Sequence, residues 1–116
     1  MRRFLALLML LALTGVAVGS PIRKGATMRV KASSIWFQDA ALLTRWQALQ
    51  QAGDAAALAS WQDGLLKTRD AWQFLHPLDV KILGYRPKTH RVDVEVTSDG
   101  RMQGSRWMLD VDALVR

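Results

Sequence analysis

Few side chains in this sequence could take part in catalysis. The two histidines are far apart: His76 precedes Pro77 in a predicted turn, and His90 lies in a polar connection. Neither has the His-x-x-x-His spacing that would place two imidazole ligands for zinc on one helical face. A hydrolase would need serine, aspartate and one of these histidines to converge. We therefore predict no catalytic residue, no metal site and no cofactor, and keep a small hydrolase as the least favoured alternative.

The acidic side chains also argue against a catalytic site. Glu95 is the only glutamate and lies two residues from Asp93. A general acid–base pair would need one carboxyl group whose pKa is raised by its surroundings. Both residues fall on the polar side of an alternating segment, so we expect them to be solvated and to pair with neighbouring arginine or lysine side chains. The sequence thus favours a protein that is not an enzyme.

Five basic side chains flank two predicted hairpin connections. Arg86, Lys88 and Arg91 surround the first connection, and Arg101 and Arg106 follow the second. If both hairpins belong to one small sheet, these residues could share an end or a face and bind an anionic partner. The alternative is a solvated rim that only aids solubility.

Five tryptophans provide the bulk for a core and candidate ligand contacts. Trp46 and Trp61 recur with leucines at helical spacing, which predicts burial. Trp36, Trp72 and Trp107 stand near the ends of predicted elements, where packing in the core is favoured and a half-exposed indole is the alternative. We add Trp36 and Trp107 to the five basic residues as candidate ligand-binding residues.

Two helices that form a hairpin are predicted over residues 39–68. Gly53 suits the position after the end of the first helix, and Asp54 suits the N-cap of the second. In each helix, apolar residues recur so that they share one face. They are Leu42, Trp46 and Leu49 in the first helix and Leu58, Trp61 and Leu65 in the second.

The remaining segments show the alternation of half-buried strands. Asp99-Gly100 is typical of a tight hairpin turn, and Asp110–Leu114 suits a single helical turn. The predicted strands are Met28–Ala32, Val80–Tyr85, Val92–Val96 and a return strand from Met102 to Leu109.

The distal part of the chain resembles a bacterial SH3-like barrel. The resemblance is carried by Val80–Leu83, Arg91–Val96, the run Gly100-x-x-x-Gly104-x-x-Trp107, and Asp112–Leu114. It implies an α+β fold: a small, strongly bent antiparallel sheet whose first strand closes against the last. The helical hairpin would be a two-helix insertion after the first strand, in place of the loop that supplies much of the family's ligand groove. Members commonly bind peptides or cell-wall material rather than catalyse reactions.

Residues 1–19 have the features of a cleavable signal peptide. Arg2 and Arg3 are followed by the apolar run Phe4–Val18, and Ala17 and Gly19 provide the small residues before a cut at Ser20. The apolar run is shorter than the roughly 20 residues of a membrane-spanning helix. An uncleaved anchor is the alternative. A lipoprotein is excluded because the chain has no cysteine to carry the lipid.

Export leaves a flexible lead over residues 20–26 and one domain over residues 27–116. Loss of Arg2 and Arg3 lowers the formal net charge from +6 to +4. This charge is too small to require nucleic acid, which an exported protein would rarely meet, but it favours anionic neighbours. The complete lack of cysteine excludes disulfides and thiol chemistry.

These observations together predict a periplasmic or secreted, non-enzymatic binding or adaptor module of the bacterial cell envelope. Its partner would be an envelope protein or an anionic wall or lipid component, with membrane contact only if residues 1–19 are retained. The alternatives are a protein inhibitor or chaperone-like partner of a periplasmic enzyme, and a purely structural role. The sequence leaves the oligomeric state open.

We expect the mature protein to begin at Ser20, because the small residues before it suit signal peptidase. Intact-mass measurement of the protein from the envelope fraction checks this. A mass that includes Met1 would instead support the uncleaved anchor.

Overall fold

A computed structural model describes residues 21–116, so the predicted signal peptide and its cleavage site lie outside the described residues. The described part contains an antiparallel sheet of six strands and two α-helices, which confirms the predicted α+β class. The strands are β1 (Thr27–Val30), β2 (Ile35–Phe37), β3 (Ala71–Gln73), β4 (Leu78–Arg86), β5 (Arg91–Val96) and β6 (Arg106–Asp110). The helices are α1 (Ala40–Ala52) and α2 (Ala55–Thr68), and short 3-10 turns span Pro87–Thr89 and Val111–Ala113.

The strand order is β1-β4-β5-β6-β2-β3, with every pair antiparallel. Within residues 21–116 the sheet is open, because β1 and β3 are its edges and do not pair with each other. One isolated bridge joins Val30 to Leu114, and the Val115 N–H donates to the Arg29 carbonyl at 2.8 Å. The closed barrel that the resemblance implies is therefore not observed, although the last residues do contact β1.

The main apolar cluster lies on one face of the long strands. Alternation in β5 buries Val92, Val94 and Val96 and turns Arg91, Asp93 and Glu95 outward, as the sequence predicted. We call the buried side the inner face and the other the outer face. The inner-face cluster also contains Met28, Val30, Trp36, Val80, Ile82, Trp107, Leu109, Val111 and Leu114.

Strand β2 is buried on both faces. Trp36 belongs to the inner-face cluster, whereas Ile35 and Phe37 belong to a second cluster with Leu43 of α1 and Ala71 of β3. This second cluster is covered by the helices on the opposite side of the strand. A strand buried on both sides shows a continuous apolar run rather than alternation.

The two-helix insertion follows the second strand, not the first as expected. Ser33 and Ser34 precede Ile35–Phe37 and suggested the start of a helix. Instead, those three residues are extended: Trp36 pairs with Trp72 of β3, and Phe37 pairs with Met108 of β6. The helix begins later because Asp39 is its N-cap and accepts a hydrogen bond from the Ala41 N–H at 2.8 Å.

The helices bury less of the predicted face than expected. Leu43, which lies one position from the predicted Leu42, is their fully buried residue, and Trp46, Leu65 and Leu66 are only partly buried. The hairpin covers the sheet mainly near β2, β3 and β6, which leaves part of each helix facing solvent.

The described part of the predicted flexible lead is bonded to β4. The Gly25 N–H donates to the Ile82 carbonyl at 2.7 Å, and the Ile82 N–H donates to the Ala26 carbonyl at 2.8 Å. Ile22 also packs against the inner-face cluster. The backbone before β1 therefore extends the pairing of β1 with β4.

Arg69 ends α2 in a left-handed conformation with φ 63°. A side chain is strained there and glycine is not, so Arg69→Gly should raise the free energy of unfolding by about 1 kcal/mol. Gly53 ends α1 at φ 78° with open space around its Cα. The control Gly53→Ala should lower the free energy of unfolding by about the same amount. Urea unfolding measures both, and a less stable Arg69→Gly protein would contradict the assignment.

Stability should also depend on the Arg29–Asp79 ion pair, which joins β1 to β4 at 2.9 Å. The hydrogen bond from the Arg29 guanidinium lowers the pKa of the Asp79 carboxyl below its usual value. A lowered folded-state pKa stabilises the fold above the unfolded aspartate pKa of about 3.9 and loses this effect as pH falls through the folded value.

Asp79→Asn should therefore be less stable than the unchanged protein at pH 7, with a difference that disappears in acid. Urea unfolding of both proteins, from pH 7 down into acid, measures this difference in stability. A difference independent of pH would show that the carboxylate charge is irrelevant.

Candidate functional site

The five basic residues that are candidates for ligand binding do not converge. Arg86 and Arg91 pair with each other at the end of the β4–β5 hairpin, with Lys88 in the turn between them. Arg101 lies in the β5–β6 connection, at the opposite end of β5. Successive hairpins of an antiparallel sheet turn at opposite ends, and the six residues of β5 separate these ends by about 17 Å. A single basic end is therefore not formed.

Arg91 and Arg106 do share the outer face, and each has a carboxylate partner. The Arg91 Nε–Asp93 Oδ1 distance is 2.8 Å, with a second, longer contact of 3.4 Å from Nη2 to Oδ2. The Arg106 Nε–Glu95 Oε1 distance is 3.3 Å. The prediction that Asp93 and Glu95 pair with neighbouring cations is confirmed. These two arginines are therefore not free charges.

A groove of about 400 Å³ lies on the outer face between these arginines. Half-buried Leu83 and Met108 provide its apolar part, and Gln38, just before α1, borders it. The Gln38 amide donates to the Arg106 carbonyl at 3.5 Å. We call it the outer-face groove, and its lining is Gln38, Leu83, Arg91, Asp93, Val94, Arg106, Trp107 and Met108.

Trp36 and Trp107 are packed in the core, as favoured for these indoles, and are not half exposed as a role in ligand binding requires. Their exposed fractions are 1% and 3%, because both project into the inner-face cluster. Their ring centroids are 6.0 Å apart in an edge-to-face arrangement. The Trp107 indole N–H donates to Ser105 Oγ at 2.8 Å, whereas the buried Trp36 N–H has no partner among the described residues. Trp72 lies on edge strand β3, where it is 38% exposed and packs against Trp107.

A second groove, of about 460 Å³, separates α1 from the β4–β5 connection. Gln47 spans its floor: the amide nitrogen donates to Asp110 Oδ1 at 2.8 Å and to the Thr89 carbonyl at 3.1 Å. Lys88 and His90 border it, so two residues from the first predicted connection meet α1 here. We call it the α1 groove, and its lining is Thr44, Gln47, Ala48, Gln50, Gln51, Lys88, Thr89, His90, Asp110 and Asp112.

The histidines occupy different surroundings. His76 is exposed and borders none of the grooves described above. His90 is exposed in the α1 groove, where the hydroxyl groups belong to Thr44 and Thr89. Among residues 21–116, no three histidine, aspartate or glutamate side chains are grouped to hold a metal ion. Neither α1 nor α2 has the length and apolarity needed to cross a bilayer.

Sequence reasoning missed Leu83, Met108 and Gln47. A register shift between Ile82 and Gly84 places Leu83 in the outer-face groove, and simple alternation does not reveal such a shift. Met108 had a readable signal, because it lies between the outward Arg106 and Asp110 in an alternating strand. Gln47 had none, since its partners are more than 40 residues away.

Comparison of the chain with protein-family models, with curated proteins and with solved structures finds no match. No family can therefore be assigned, and no residue role is transferred from a relative.

Proposed function

We propose that this chain is an exported, non-enzymatic binding module of the bacterial cell envelope that binds an envelope protein through its outer-face groove. The signal-peptide pattern of residues 1–19 supports the location. The SH3-like resemblance of the distal strands supports binding rather than catalysis, and we propose that the sheet derives from such a barrel.

The outer-face groove carries this proposal. Its apolar part, Leu83 and Met108, lies between the guanidinium groups of Arg91 and Arg106. A carboxylate holds Arg91 through two contacts, which fixes the plane of its remaining N–H donors. Arginine beside apolar surface is enriched at protein interfaces, where it provides directional hydrogen bonds and stem packing. The groove suits a peptide segment with an apolar side chain flanked by hydrogen-bond acceptors.

The charge balance of the groove favours a protein segment over a polyanion. Arg91 and Arg106 already contact Asp93 and Glu95. Arg101 lies beyond the other end of β5 and adds nothing to the Arg86–Arg91 end. A wall polymer or an anionic lipid surface gains most from several uncompensated cations on one face. The groove itself offers no such set, because each of its two arginines contacts a carboxylate.

A second candidate, an inhibitor or chaperone-like partner of a periplasmic enzyme, is favoured by a different surface. Strand β3 pairs only with β2 within the described residues, so its other side is an open edge. Trp72 is 38% exposed on this edge, and Leu75 just after it is 71% exposed. An exposed edge bearing an aromatic side chain can pair with a strand of another protein.

The test uses the mature chain, residues 20–116, immobilised and exposed to periplasmic extract. We expect one protein to be retained in stoichiometric amount. The double variant Arg91→Gln/Arg106→Gln should weaken its retention at least tenfold. The control Lys88→Gln/Arg101→Gln removes the same charge outside the groove and should leave retention unchanged, with urea unfolding used to confirm that all variants fold.

Two other outcomes would overturn the assignment. Co-sedimentation with isolated wall material or phosphatidylglycerol vesicles, weakened equally by both double variants, would indicate a polyanion bound by net charge. Retention that is lost in Trp72→Ala but kept in the groove variant would instead support the second candidate.

A further inference from the structure

We propose that the α1 groove is a separate binding site for an uncharged oligosaccharide. It shares no lining residue with the outer-face groove, so this inference goes beyond the proposed function and does not depend on it. Its volume of about 460 Å³ lies within the range of about 300–1,000 Å³ that is typical of small-molecule sites.

The chemistry of the lining suits hydroxyl groups. Gln50 and Gln51 present side-chain amides, each with donors and an acceptor, and Asp112 presents carboxylate acceptors. A sugar ring offers adjacent hydroxyl groups that are also both donors and acceptors, so amides and carboxylates can pair with neighbouring hydroxyls. This combination is more specific for a polyhydroxylated ligand than for an apolar one.

The charges of the groove favour a neutral ligand. Lys88 is the one permanent cation in its lining, Asp110 and Asp112 are both acidic, and Arg116 contacts Asp112 at 4.0 Å from outside the lining. Cations and carboxylates therefore balance, so a polyanion would meet as much repulsion as attraction. A polycation would be repelled by Lys88 and would find Asp110 already occupied by the Gln47 amide and the Asp112 N–H.

The walls of the groove are held in place before any ligand binds. Gln47 ties α1 to the β4–β5 connection and to Asp110. Asp110 Oδ2 accepts from the Asp112 N–H at 2.9 Å, and the His90 carbonyl accepts from the Val111 N–H at 2.8 Å. Because these contacts order the site in advance, binding loses less conformational entropy.

An aromatic ring lies in an adjoining pocket. Trp46 borders a cavity of about 190 Å³ that shares Gln50, Asp110 and Asp112 with the α1 groove. The Trp46 indole N–H donates to Gln62 Oε1 at 2.8 Å, which fixes the ring. An indole of this kind offers an apolar surface for the C–H face of a sugar ring, next to groups that bind its hydroxyls.

The test is an NMR titration of the mature chain with two uncharged probes, chitotetraose and maltotetraose. At least one probe should shift the side-chain amide signals of Gln50 and Gln51. The double variant Gln50→Ala/Gln51→Ala should weaken binding at least tenfold. Gln103→Ala removes an exposed amide from the β5–β6 connection and should bind as the unchanged protein does.

The Arg91→Gln/Arg106→Gln protein should also bind the probe normally, which separates this site from the outer-face groove. The inference is overturned if neither probe shifts these amides at millimolar concentration, or if the Gln103 variant loses as much affinity as the double variant. It is also overturned if hyaluronate, an anionic oligosaccharide, binds more tightly than both probes and loses its binding in Lys88→Ala.

Discussion

The rest of the structure depends on the burial of β2 on both faces. This strand has only three residues, yet Trp36 packs into the inner-face cluster while Ile35 and Phe37 pack beneath the helices. One short segment therefore contributes to the hydrophobic free energy of both clusters, so loss of its packing would weaken both. Because β2 also joins β3 to β6, it fixes where the helical hairpin lies on the sheet.

That position determines which surfaces remain open. The helices cover the outer face near β2 and β6, through Phe37 and Met108, and leave the outward side chains of β4 and β5 accessible. Grooves form along the borders of the covered area. One lies beside Gln38, where the chain enters α1, and the other lies along the side of α1 that bears Gln47 and Gln51. Both proposed sites thus follow from how the hairpin is seated.

Local patterns predicted much of the local structure, although the return strand begins at Arg106 and not at the predicted Met102, because residues 101–104 form a turn. Long-range pairing escaped these patterns. Caps at Gly53 and Asp54 and the alternation of Arg91–Val96 placed the helices and β5 correctly. The three apolar residues of β2 show no alternation, and their partners come from distant β3 and β6, so they resembled the approach to a helix.

For the candidate site, pattern reasoning found Arg91 and Arg106, which line the outer-face groove. It did not find the separation of Arg101 from Arg86, which depends on the complete fold.

The contact between the last residues and β1 bears on aggregation through the edges of the sheet. A strand edge with unpaired backbone groups is a template for intermolecular pairing and aggregation. Here Val115 donates to Arg29 and Leu114 bridges Val30, so the segment after β6 occupies part of the β1 edge. At the other side of the sheet, β3 is only three residues long. An open sheet can therefore limit edge-to-edge pairing without closing into a barrel, because one edge is partly shielded and the other has only three residues.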